Sequence, residues 1–266
     1  GASVRAESLA AVPRRSSALR GKIRGYIREL SRAYELELLA PLLIGARDSL
    51  NAVVERSFRE AGAMHMLALS GMHLALFVAV VYAVTRQFGS WQLSLVAASL
   101  FILLFLWIAG PRPSLVRAVL LTLLAGGAVA LRRRTAPLNL LAGAFILMLI
   151  LWPTSIKTLS FQLSFSALLG ILLAAPALSY LWDGFFPRVV RMPLAAGLGA
   201  QFATAPLLAA SFGVVYPVGV LTGVLLAPVI TLYLWGGLAG SALAALGLDA
   251  MGNAVLLFLH GVEGVI

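Results

Sequence analysis

The chain has 266 residues, of which 61% are hydrophobic and 11% charged. A water-soluble domain carries about 25% charged residues, so this surface cannot face water all round and the composition is that of a multi-span membrane protein. The net charge is +10, and the absence of cysteine excludes disulfides and thiolate metal sites.

The charge is unevenly spread. Residues 1–60 hold eleven Lys/Arg and seven Asp/Glu, whereas the remaining 206 residues hold nine Lys/Arg against Asp183, Asp249 and Glu263. An acid-poor, basic membrane region suits an anionic substrate, and the positive-inside bias supplies part of the same excess. Gly1–Ser3 reads as a tag remnant, and Ile266 ends the sequence within an apolar run, so both ends read as cut from a longer protein.

Residues 16–40 place Leu19, Ile23, Tyr26, Ile27, Leu30 and Tyr34 on one stripe, with Arg and Lys opposite. This spacing predicts an amphipathic surface helix. Residues 1–60 thus read as a lead-in helix and linker, and 61–266 as the transmembrane domain. Apolar segments follow at 61–84, 91–110, 113–131, 137–152, 158–182 and 193–212. The fourth is short for a ~30 Å hydrocarbon core. Residues 214–246 are too long for one span and carry Pro217 and Pro228, so they read as a broken helix or two half-spans. A last helix starts near Asn253. The expected fold is an all-α polytopic membrane protein, a helical bundle of about seven or eight transmembrane segments with broken helices. Helix breaks are expected at Gly71, Pro111, Pro113, Pro206, Pro217 and Pro228.

Loop charge gives an orientation. With Arg132–Arg134 in the cytoplasm, alternation puts Arg86, Arg188 and Arg191 on the same side, against Arg112 and Lys157 on the other. Residues 1–60 then lie outside the cytoplasm.

Polar groups in apolar segments are costly and normally face the bundle interior or a watery cavity. The candidates are His65, Ser70 and His73 in the first segment, Arg112 and Arg117 around the third, and Lys157, Gln162 and Ser164 around the fifth. Gln201 and Thr204 add a pair in the sixth. His65 and His73, eight residues apart, can share a broad helix face, but a metal site needs further ligands and only His260 remains. Arg112 stands between Pro111 and Pro113, and Arg117 sits one turn inside its span. It either snorkels to headgroups or faces a channel. Each neutral polar group either bonds between helices or lines a path; a polyanion path favours cations and neutral groups over carboxylates. Phe161, Phe165, Phe202 and Phe212 either stack bases or face core and lipid. Ser70-Gly71 with His73 or His260 admits an intramembrane serine hydrolase, although the nucleophile elbow belongs between a strand and a helix. A small-solute or lipid transporter with a midplane site is a further reading.

Four stretches in register carry a resemblance. They are residues 58–74 (FREAGAMHMLALSGMHL), 113–118 (PSLVRA), 161–165 (FQLSF) with Gly170-Ile171, and 201–206 (QFATAP) followed by Pro228. Together with the lead-in at 39–50, this pattern resembles the competence family of DNA-uptake channels, the ComEC type, over residues 36–240. The resemblance implies a channel that passes single-stranded DNA across the bacterial cytoplasmic membrane during natural transformation. It implies an outer DNA receptor and a cytoplasmic helicase-like motor as partners, besides membrane lipid. Full-length relatives commonly add an OB-fold-like domain and a nuclease domain, so this region itself is expected to be no enzyme. No Gly-x-x-x-x-Gly-Lys-Ser/Thr loop occurs, and no cofactor is expected. Where the family often has Asn five residues before the later proline, this chain has Gly223.

Overall fold

The computed structural model describes residues 14–46, 50–67 and 71–264, without the side chains of residues 14–16, Met72, His73 and Leu76. The described residues form α-helices and turns: α1 (Arg14–Ala33), α2 (Leu39–Ile44), α3 (Ala52–Glu60), α4 (Gly71–Phe88), α5 (Trp91–Ala109), α6 (Pro113–Ala130), α7 (Pro137–Leu151), α8 (Leu159–Leu181), α9 (Arg188–Phe212), α10 (Gly219–Ala245) and α11 (Asp249–Glu263). A 3-10 turn, Pro153–Lys157, joins α7 to α8.

Five helices, α5, α6, α8, α9 and α10, are long and apolar enough to cross a membrane, and Phe77–Phe88 and Pro137–Leu151 are shorter apolar helices. In α5 the inward stripe is Ser94, Ala98, Ile102, Phe105 and Ala109. On the other side Leu93, Val96, Leu100, Leu103 and Leu104 are exposed. A helix that buries one stripe and shows leucine and valine on the other has hydrocarbon as its natural outer solvent.

Prolines do not break the long helices. Pro176 lies inside α8, Pro193 and Pro206 inside α9, and Pro228 inside α10, all continuous. The half-spans expected over 214–246 are therefore one helix, with Pro217 in the turn before it. A proline removes one ladder bond, and neighbouring groups in a membrane bundle can satisfy what it frees. The opposite holds at Gly110-Pro111-Arg112-Pro113. Gly110 takes φ +93 and Pro113 starts α6 as its first residue, the position where a missing N–H costs nothing.

The first apolar segment also differs from its expected form. Residues 61–67 are turns, not helix, and the described part of α4 begins at Gly71. Gly62 ends α3 with φ +67 and lies against α10: a Cβ on it would stand 2.8 Å from the Gly219 Cα.

Two apolar clusters hold the bundle. The larger joins Leu36–Ala46 to residues of α4, α5, α6, α10 and α11. Every residue of α2 is buried, so this stretch before residue 60 is part of the core. The smaller cluster is Val116 of α6, Leu141 and Met148 of α7, and Phe161 and Phe165 of α8. The helices α8 and α9 cross at two glycines. A Cβ on Gly170 would be 2.2 Å from the Gly199 carbonyl oxygen, and one on Gly199 would be 2.7 Å from that of Gly170. Only glycine permits this backbone-to-backbone approach, the usual way helices associate where burial of apolar area offers little.

Candidate functional site

Arg117 is the residue around which three of the four resembling stretches meet, 58–74, 113–118 and 161–165. It lies one turn into α6, partly buried, and its Nη1 donates to the Ser164 backbone carbonyl on α8. The guanidinium carbon stands 5.8 Å from the centroid of the Phe165 ring, within cation–π range. The start of α4 closes the other side: a Cβ on Gly71 would lie 3.5 Å from Arg117 Nη2 and 3.2 Å from the Ala118 Cβ. Glycine at 71 thus lets α4 pack closely on Ala118 of α6, beside the guanidinium. Arg117 Nε is buried with no hydrogen-bond partner among the described residues. No carboxylate pairs with it either; the ion pairs found among those residues are Arg56–Glu60, Arg59–Glu55 and Arg191–Asp183. A cation held by a carbonyl and a ring has no counter-charge to offset it, unlike one in an ion pair.

The other candidates divide. Arg112 is occupied elsewhere: its Nη2 donates to the Gly45 carbonyl at 2.6 Å, closing the C-terminal end of α2. Gly45 takes φ +66, and a Cβ on it would meet the guanidinium at 2.2 Å. This side chain is a structural clasp, a role the apolar run ending in glycine (LLIG) signals through the left-handed cap. Gln162 donates its amide to the Ile156 carbonyl at 3.1 Å, folding the 3-10 turn against α8. Thr204 bonds its own helix, to the Ala200 carbonyl at 2.8 Å, and Gln201 is partly exposed on the same helix. Lys157 is exposed at the end of the 3-10 turn.

His65 lies in the turns after α3, not in a helix. Its Nδ1 is 3.2 Å from the Gly62 carbonyl, and its Nε2 faces α10 at Gly223, where a Cβ would stand 3.7 Å away. The position at which the sequence departs from the competence pattern therefore touches the first motif's histidine. His73 falls in α4, and the position of its side chain lies outside the described residues, as does Ser70 altogether. Burial divides the aromatic candidates. Phe161 and Phe165 are buried against each other and Phe145, with centroids 4.5, 5.5 and 5.2 Å apart, and so are closed to base stacking. Phe202 and Phe212 are exposed on α9.

Sequence reasoning missed one polar cluster. Glu263, at the end of α11, accepts from the backbone N–H groups of Glu37 at 3.0 Å and Leu38 at 2.6 Å, and from the Tyr233 hydroxyl at 2.6 Å. It anchors the start of buried α2 to α10 and α11. A lone acid in an apolar run was the available signal.

An apolar bundle with long unbroken helices and a carboxylate-free arginine inside is a polytopic α-helical membrane protein. The chain belongs to the Competence protein family, whose model matches residues 42–265. It is 34% identical over 195 residues to an uncharacterized protein of Aquifex aeolicus (strain VF5), covering 73% of this chain and 45% of that one. It is 28% identical over 141 residues to ComE operon protein 3 of Bacillus subtilis (strain 168), covering 52% of this chain and 18% of the relative. The chain thus spans less than half the length of either. No solved structure matches it.

Proposed function

We propose that this chain is the membrane part of a DNA-uptake protein and guides one DNA strand across the bacterial cytoplasmic membrane. The observation that carries the reading is Arg117, a partly buried arginine held by the Ser164 carbonyl and the Phe165 face, with Nε unpartnered among the described residues. Nucleic-acid affinity rests mainly on phosphate contacts, and a guanidinium whose charge no carboxylate among the described residues offsets suits a passing phosphate. Membership of the Competence family and the likeness to ComE operon protein 3 support the same reading. In this proposal an outer receptor delivers the DNA, and a cytoplasmic helicase-like motor draws the strand inward. The chain itself catalyses nothing, and residues 1–60 lie outside the cytoplasm.

The test is transformation frequency in the natural full-length protein, with membrane abundance measured in parallel. Arg117→Glu should lower transformation well beyond Arg117→Ala, because it sets a like charge against the polyanion. Arg117→Lys should lower it about 10- to 150-fold, since losing a charged hydrogen bond costs about 1.5–3 kcal/mol. Normal transformation by an abundant Arg117→Glu protein would take Arg117 out of the path and leave a residue that only joins helices.

A further inference from the structure

The amphipathic helix α1 carries its apolar stripe inward onto protein. Ile27, Leu30 and Tyr34 pack on the larger core cluster, and buried Ser31 donates its hydroxyl to the Leu36 carbonyl. Arg20 Nε donates to the Ile108 carbonyl at 3.3 Å, and Arg24 Nη1 to those of Ile108 and Ala109 at 3.1 and 3.0 Å. These bonds seat α1 on the C-terminal end of α5, the end from which Gly110 and Pro111 lead into α6 and on to Arg117. Tyr34 closes the far end through its hydroxyl on Asn253.

The opposite side of α1 is basic and open. Lys22, Arg28 and Arg32 are exposed. At about 100° per residue they share one face with Gly21, Gly25 and Glu29, the one acid there. A Cβ on Gly21 or Gly25 would meet nothing within 4 Å, so the backbone between the three cations is uncovered and a ligand can approach it closely. Arg28 and Arg32 stand one turn apart, about 6 Å along the axis.

We propose that this outer face of α1 is a docking surface for the phosphate backbone of single-stranded DNA, at the corner of the bundle that leads to Arg117. A helix that lies on a membrane sinks an apolar face into the acyl boundary. Here that face is spent on the core, and of the stripe only Leu19 remains exposed, at 54%. What α1 offers outward is mostly positive charge, with little apolar area, which favours a polyanion in water over a bilayer. The site extends the proposed DNA path and rests on DNA being its cargo, but it concerns capture and not passage.

The experiment uses this chain in nanodiscs of uncharged phosphatidylcholine, with binding of a dye-labelled oligothymidylate followed by anisotropy over a salt series. Each phosphate contact on a single strand contributes about 0.7 to the salt slope. The triple variant Lys22→Gln, Arg28→Gln, Arg32→Gln should therefore lower the slope by about 2. Its affinity should then fall about 15-fold less than the parent's between about 50 and about 200 mM salt. The charge-preserving variant Lys22→Arg, Arg28→Lys, Arg32→Lys should keep the parent slope. An unchanged slope in the glutamine variant, or an equal loss in both variants, overturns the proposal. So does an unchanged oligothymidylate affinity together with lost capture of phosphatidylserine vesicles, which would make the face a lipid surface. Failure of the Arg117 transformation test leaves these readouts untouched, because capture needs no open path.

Discussion

Replacing Gly170 with alanine adds one methyl group where α8 and α9 cross, and the structure leaves no room for it. The new Cβ would stand 2.2 Å from the Gly199 carbonyl oxygen and 2.6 Å from the Ala203 Cβ, against a normal separation of about 3.5–4.0 Å. The obstructing oxygen is backbone, so no rotamer change relieves it and the two helices must move apart. Overpacking of this kind costs about 1–3 kcal/mol, and separating the helices forfeits the contacts around the crossing as well. Against this stands the gain of about 1 kcal/mol from replacing glycine with alanine in a helix. The net expectation is a loss of about 2 kcal/mol, roughly a 30-fold shift of the folding equilibrium. Gly127→Ala in α6 is the reference, because a Cβ there meets nothing within 4 Å; it should gain up to about 1 kcal/mol. Equilibrium unfolding in mixed micelles with increasing dodecyl sulfate, read by tryptophan fluorescence, gives both values. The opposite signs are the point of the experiment. If Gly170→Ala is as stable as Gly127→Ala, the close crossing does not exist and the reasoning fails.

Removing the Glu263 carboxylate should also be costly. Glu263→Ala leaves two backbone N–H groups and the Tyr233 hydroxyl without their acceptor, a loss of about 3 kcal/mol or more, whereas Tyr233→Phe should cost about 1 kcal/mol in the same unfolding assay. For topology, single cysteines introduced into this cysteine-free chain and probed with an impermeant thiol reagent should be labelled from outside at position 157 and only after lysis at position 133. Labelling of position 133 in intact cells would reverse the orientation. Finally, Ser70 should not react with a fluorophosphonate, since no oxyanion hole or positioned base is evident in the sequence around it. Stoichiometric labelling lost in Ser70→Ala would restore the hydrolase reading.

Composition alone determined that this protein is a helical membrane bundle. Too few charges cover its surface, and a backbone in hydrocarbon must satisfy its own hydrogen bonds, so long apolar runs become helices. Local chemistry was legible too: Gly110 to Pro113 marks a break and a new helix start, and the stripe of α1 marks an amphipathic helix. Proline misled within α10, because Pro228 lacks one donor but cannot decide whether neighbours hold the helix together. Arg112 and Arg117, equivalent as basic residues near one helix start, part company only in space. One reaches back 67 residues to the Gly45 carbonyl, the other 47 forward to that of Ser164. The same holds for Phe165, buried beneath Arg117, and for Gly170 and Gly199, each of which faces the other's carbonyl oxygen across two helices. Periodicity along one helix specifies which side faces inward. Which distant backbone carbonyl or glycine waits there depends on how the helices pack, and that choice belongs to the tertiary structure.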